Sequence, residues 1–208
     1  MNAIRCLLFA AISCIVACDS SKESIVSAQL AEGDVADTTS AVAILGTRLA
    51  LVIGVDEKSI RPVVSGTTVR YTVVVPPSSE ALLQAVLMAK GEFKIAPTDG
   101  VGEPWLSDED VAYADAFCNG DSCYVRVTAK PAAARRLTDL TKANVGREIA
   151  MSWNGQPVVT APVLGPFGEE PVQFGPLSQE GAKVVALVLR TGRLPVSVLD
   201  ATVDPAPK

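Results

Sequence analysis

Between residues 137 and 194 the spacing of apolar side chains switches from helical to alternating and back to helical, with a turn signal at each change. Leu137, Leu140 and Thr141 recur at helical spacing, and Asn144-Val145-Gly146 follows them. Gly146 can take the left-handed conformation that ends a helix. Two apolar, partly β-branched runs, 148–153 and 156–163, then flank Asn154-Gly155, and both turn residues tolerate the positive φ of a type I′ hairpin. Ser178 is placed to cap a last helix in which Ala182, Val185, Ala186 and Leu189 form one apolar stripe. Val184, Leu187 and Val188 add apolar bulk beyond that stripe, so this helix is expected to be mostly buried, with Gly192 and Pro195 as its stops.

Upstream, Thr38 or Thr39 can cap a run with Val42, Leu45, Leu49 and Val52 at helical spacing, ended by Gly54. The β-branched content of 49–55 also fits a strand. Segments 60–64 and 69–75 flank Ser65-Gly66-Thr67, a hairpin signal, and Pro76-Pro77 closes the second strand. Ser78 or Ser79 can cap a helix over 81–89, and a strand is expected at 91–95. Helices and hairpins segregate along the chain instead of alternating regularly, which predicts an α+β fold with antiparallel or mixed sheets. Residues 19–37 are small and polar and read as a tether, with 25–30 able to form a short edge strand inside it. The end of the chain, 204–208, reads as a disordered tail.

The first eighteen residues bear on location. Arg5 supplies a positive start, 6–16 is an apolar run too short for an ordinary spanning helix, and Ile15-Val16-Ala17-Cys18 has the bulky-small-small-Cys form of a bacterial lipoprotein cleavage box. Residues 1–17 are therefore expected to be a signal peptide and Cys18 a lipidated N-terminus, anchoring the chain to a membrane. Asp19 favours the inner membrane over the outer by the enterobacterial rule. No second apolar run long enough to cross a membrane is expected, the longest candidate being 49–55. Of five cysteines, Cys118 and Cys123 would remain for pairing. They bracket Asn119-Gly120-Asp121-Ser122 between the apolar runs 113–117 and 124–128, so a hairpin-closing disulfide is expected, as suits an oxidising periplasm. A redox pair or half a metal site is the alternative, but the spacing is not that of the redox motif and the chain has no histidine.

The 137–194 stretch resembles the large periplasmic domain of the SecD protein-export translocase family. The residues that carry the likeness are Leu140-Thr141, Asn144-Val145-Gly146-Arg147, Asn154-Gly155, Thr160-Ala161-Pro162, and Leu187 to Pro195 with its Leu-x-Leu-Arg-x-Gly-x-Leu-Pro pattern. Arg48 to Val55 resembles the end of a family helix, which favours helix over strand there, and the 60–75 hairpin and Glu92-Phe93-Lys94 also match family patterns. The resemblance implies a split ferredoxin-like α/β base over 38–96, followed by a SecD-like head over 97–203 with an antiparallel or mixed sheet and two packed helices. It implies non-covalent handling of polypeptide on the periplasmic side, with Sec translocase components or unfolded preproteins as partners. The six-helix membrane domain of the family, with its proton-coupled ionisable residues, is not in this sequence, so proton-driven pulling is not expected of the chain alone. The expected protein is a stand-alone envelope lipoprotein with an accessory role in protein export or envelope biogenesis; a structural adaptor in an envelope complex is the alternative.

Charge and composition narrow the chemistry. Lys and Arg number 18 against 23 acidic residues, and Arg135-Arg136 is the only adjacent basic pair, so a nucleic-acid partner is not expected. With no histidine the commonest general base is missing. Asp108-Glu109-Asp110 lacks the ligand alternation of a calcium loop and reads as solvated, and the glycines of 155–175 lack the lysine and serine of a phosphate loop. That segment reads as a mobile loop restrained by Pro162, Pro166, Pro171 and Pro176. No enzyme, cofactor, metal or small-molecule substrate is expected. Trp105 and Trp153 are candidate aromatic contacts with core packing as the alternative; Trp153, beside the turn, and Phe167, in the Gly/Pro loop, are the preferred peptide-contact residues.

Overall fold

The computed structural model describes residues 23–100 and 102–206. The expected signal segment 1–17, the lipidated Cys18 and the last two residues of the expected tail lie outside them. Two hydrophobic cores organise the fold, one beneath a base sheet and one inside a head. Every paired strand runs antiparallel. The α+β expectation is met, with antiparallel sheets.

The base begins with β1 (Glu23–Leu30), followed by α1 (Val35–Ile53). The hairpin of β2 (Pro62–Ser65) and β3 (Thr68–Val74) comes next, and then α2 (Glu80–Met88). α1 starts a turn earlier than expected because Asp34, not Thr38 or Thr39, caps it: the Asp37 N–H donates to the Asp34 carboxylate at 2.7 Å. It stops at Gly54, whose φ of +74° is the left-handed conformation the sequence indicated. By length and composition α1 is apolar enough to cross a bilayer, although the sequence had suggested only the shorter 49–55 run. Here it is a core helix, with Ala41, Leu45 and Leu49 packed on the base sheet. Ser79 occupies the cap position of α2 but makes no side-chain capping bond.

The head opens with β4 (Phe93–Pro97) and β5 (Leu106–Ser107). The long hairpin of β6 (Val111–Asn119) and β7 (Ser122–Ala129) follows, and then α3 (Pro131–Ala143). The hairpin of β8 (Glu148–Trp153) and β9 (Gln156–Pro162) turns at Asn154 and Gly155, with φ +48° and +79°. β10 (Val172–Leu177) and α4 (Gln179–Thr191) complete the head. Ser178 caps α4, accepting from the Gly181 N–H at 3.0 Å. Sheets ordered β5-β4-β8-β9 and β10-β7-β6 enclose a core with α3 and α4 packed against it, the two helices expected.

Four expectations need correction. Residues 23–30 are not tether: β1 is an interior strand of the sheet β11-β1-β3-β2, paired on both sides. Its buried face, Ser24, Val26, Ala28 and Leu30, is half small residues, so the alternation has little hydrophobic contrast. The tail is not free from 204, because β11 (Val198–Pro205) runs to Pro205 along β1 with Asp204 opposite Ile25. Asp and Pro weaken the strand signal there, and an edge position tolerates both. The base–head division also moves. β4 joins β8 and its Phe93 and Ile95 enter the head core, whereas Leu194, Val196, Val198 and Ala201 return to the base core. Finally, the Gly/Pro segment contains β10, which pairs with β7 despite a break in register between Phe174 and Leu177.

Candidate functional site

Two chain crossings join base and head, residues 89–92 outward and 192–194 back. They lie side by side, the Leu194 N–H donating to the Lys90 carbonyl at 2.8 Å. Gly91 takes φ +91°, and a Cβ there would meet Val188 Cγ1 at 2.8 Å. Only glycine allows this close approach. Asn154 adds a third strand of contact, its Oδ1 accepting from the N–H groups of Gly91 and Glu92 at 3.0 Å each.

At the centre of this joint is Arg48, fully buried on α1. Its Nη1 donates to the carbonyls of Val86 (3.0 Å) and Ala89, Nη2 to that of Gly192 (2.9 Å), and Nε to Thr191 Oγ1 (3.1 Å). The guanidinium thus meets the C-terminal ends of α2 and α4, where unpaired carbonyls and the helix dipoles carry partial negative charge. Burial pushes its pKa down to about 10, so it stays cationic at neutral pH. No buried side-chain nitrogen or oxygen lacks a partner among the described residues. Sequence reasoning noted Arg48 only as part of a family pattern. A basic residue inside an apolar helical run was the signal that could have marked it.

In the head, the hairpin expectation at the cysteines is met: Cys118 and Cys123 face each other in the β6–β7 ladder and are joined by a disulfide. Asp115 and Arg126 on the opposite face form a two-point pair at 3.0 and 2.6 Å, which holds the Asp115 carboxyl below its usual range. Arg126 also lies 5.3 Å over Phe117, whose ring stacks on Tyr124.

The candidate aromatic contacts are placed apart. Trp105 is buried in the head core and forms the inner wall of a cavity of about 720 Å3 with Pro104, Leu140, Asp110 and Arg136. Partial burial pushes the Asp110 carboxyl up, but Arg136 and two Ser107 donors outweigh it and hold the carboxyl low. Trp153 ends β8 opposite Phe93, beside the joint, half-buried on the head core. Phe167, in the segment after β9, is tied to α3 through Thr141: its N–H donates to Thr141 Oγ1 at 3.0 Å, and its ring is half-buried. Gly168 follows with φ +143°, in contact with α3. The arrangement offers separate apolar footholds around the head and, among the described residues, no assembled set of reacting groups. Asp108 and Glu109 sit in a short turn before β6, with Asp110 paired to Arg136. No group of three or more His, Cys, Asp or Glu converges to hold a metal among the described residues.

Residues 98–196 match the family model of the SecDF P1 head subdomain. The protein translocase subunit SecDF of Thermus thermophilus is 32% identical over 167 residues, covering 77% of this chain. The chain spans about a fifth of that relative, 21% of its length. A solved structure of SecDF, described as a membrane component that enhances protein export, superposes with TM-score 0.67 at 19% identity, covering 89% of this chain and 99% of that one. A crystal structure of SecDF in a super-membrane-facing form gives TM-score 0.69 at 15% identity, covering 87% of this chain and 30% of that one. These structural likenesses show the fold, and the sequence match falls on the helix stop, hairpin and buried helix described above. The chain therefore carries a SecD-like first domain, in which residues 98–196 are similar to the SecDF P1 head subdomain.

Proposed function

We propose that this protein is a membrane-anchored accessory of protein export that contacts polypeptide non-covalently through its head, on the periplasmic side of the cell envelope. The observation that carries the reading is the match of residues 98–196 to the SecDF P1 head, on a chain whose relative is a translocase subunit. In this reading Cys18 becomes the acylated N-terminus and anchors the chain, on the inner membrane in preference to the outer. Trp153 and Phe167, apolar and partly open at separate places on the head, are the contact residues for extended chain, whose partners are unfolded preproteins or Sec components. The role needs no cofactor and no covalent chemistry.

Photocrosslinkers placed at Phe167 and Trp153 in living cells test this. Capture of secretory precursors or Sec components, lost when secretion is blocked, is the expected result. A single stable envelope partner, unaffected by secretion, would instead identify a structural adaptor.

A further inference from the structure

We infer that the base sheet pairs with a second copy of this chain along β2, strand against antiparallel strand about a two-fold axis at Val64, so that two bases share one continuous sheet. β2 ends the order β11-β1-β3-β2, and no strand pairs with its outer edge. All its residues are exposed, Val63 to 66% and Val64 to 48%. β2 and β11, the strand that follows the return from the head, are opposite edges of the sheet, so a partner on β2 lies away from that return. The exposed edge strand of the head, β9, is a poorer template. Its Pro157 and Pro162 lack donors, and its ladder with β8 shifts register between Met151 and Ser152.

Register follows from which backbone groups are already used. The Leu30 N–H donates to the Thr67 carbonyl at 2.8 Å and Ala28 lies opposite Val69, so Val69 turns its own backbone groups toward β1. Val64, opposite Val69 on the other side, therefore points its N–H and carbonyl out of the sheet. The same alternation turns the Pro62 carbonyl and the Gly66 N–H outward. Two copies centred on Val64 exchange N–H to carbonyl bonds at that residue, and each Gly66 N–H meets the Pro62 carbonyl of the other copy. Pro62, which has no N–H, is asked only to accept. A shift that set Pro62 opposite Val64 would leave a carbonyl without its donor, so the proline favours the centred register.

The side chains agree with that register. Val64 projects to the same side as Val69, into a groove of about 600 Å3 between α1 and the β2–β3 hairpin that Val35 and Val42 also line. Pairing brings the two Val64 side chains together beside that groove and removes apolar surface from water in each copy. The ends are complementary in charge. Counted outward from the axis, Arg61 falls opposite Thr67 of the other copy, and Thr67 borders the groove together with Glu32. Neither Arg61 nor Glu32 has an ion-pair partner among the described residues. The two-fold axis makes that contact twice. Two short strands with their flanking side chains fall near the low end of specific interfaces, about 1,200 Å2, so a Kd of micromolar order is expected.

Sedimentation of the full-length chain in detergent micelles, across the micromolar range, reads the monomer–dimer equilibrium. Arg61→Glu replaces both attractions by repulsions and should raise Kd about tenfold, and adding Glu32→Arg should restore it. That rescue separates a lost contact from a damaged fold. Val64→Cys should give a disulfide-linked dimer under mild oxidation, because directly paired positions in such a ladder lie about 5.5 Å apart. Val145→Cys, exposed in the head, should not. A chain that stays monomeric overturns the inference, as does a dimer indifferent to Arg61→Glu or unlinked at position 64. Failure of Glu32→Arg to rescue overturns the charge contact that fixes the register, and the inference with it.

Discussion

Replacing Arg48 by methionine, a side chain of similar length with no donors, isolates what the buried guanidinium does. The substitution strands the Val86 carbonyl in the interior and leaves those of Ala89 and Gly192 to partial rescue by water. A stranded buried acceptor costs about 1–3 kcal/mol and partly exposed ones about half as much, so the gross loss is about 2–6 kcal/mol. Against it stands the desolvation of a buried cation, which an apolar replacement returns. Because the Val86 carbonyl is left stranded at a buried helix end, a net loss of about 3 kcal/mol is expected, or roughly 6–12 °C in Tm for a domain of this size. Urea unfolding gives the magnitude. Hydrogen exchange gives the place: the Leu194 amide, bonded to Lys90 across the joint, should lose protection before the β6–β7 hairpin does. An Arg48→Met protein as stable as the parent, or more so, would show that the charge is merely tolerated and refute the account of the joint.

Three further outcomes follow from the head. Replacing Cys118 and Cys123 by serine should cost roughly 2 kcal/mol, because the bond closes a very short loop already held by its ladder; loss of folding in urea titrations would contradict this. Gly168→Ala would bring Cβ to 2.6 Å from the Ala134 carbonyl at an unfavourable φ of +143°, costing about 2 kcal/mol or more and loosening the Phe167 loop; unchanged stability and unchanged crosslinking from Phe167 would count against that fit. Asp115 has its folded pKa depressed below 3.8 by Arg126, so its contribution is present above about pH 4 and is lost as pH falls through the lowered value. Urea midpoints from pH 6 down to 2.5 should drop at the acid end, and Asp115→Asn should flatten part of that drop.

Local signals carried far in this chain. The αL glycine after α1, the Asn154-Gly155 turn, the Ser178 cap and the buried stripe of α4 are decided by neighbouring residues, and each appears where the pattern put it. The cysteine pair was legible for the same reason, since its partners are five residues apart across one turn. β1 and β11 were not, because a strand with small or acidic residues is recognised by what it pairs with, and its partners lie far along the chain, as Ser24 opposite Pro205 and Gln29 opposite Thr68 show. The candidate contacts divide likewise: sequence could single out Trp153 and Phe167 as aromatics beside turns. The place of Trp153 opposite Phe93 and the tie of Phe167 to Thr141 come from packing.

Residue type and short spacing were enough to establish the helices, the hairpins, the family likeness and the absence of histidine chemistry. It took the folded chain to establish that the last strand returns to the first, that the head is inserted into the base, and that Arg48 closes the joint between them. The reason is physical: long-range antiparallel pairing and the satisfaction of helix-end carbonyls depend on which groups meet in space, and alternation along the chain specifies a face but not its partner.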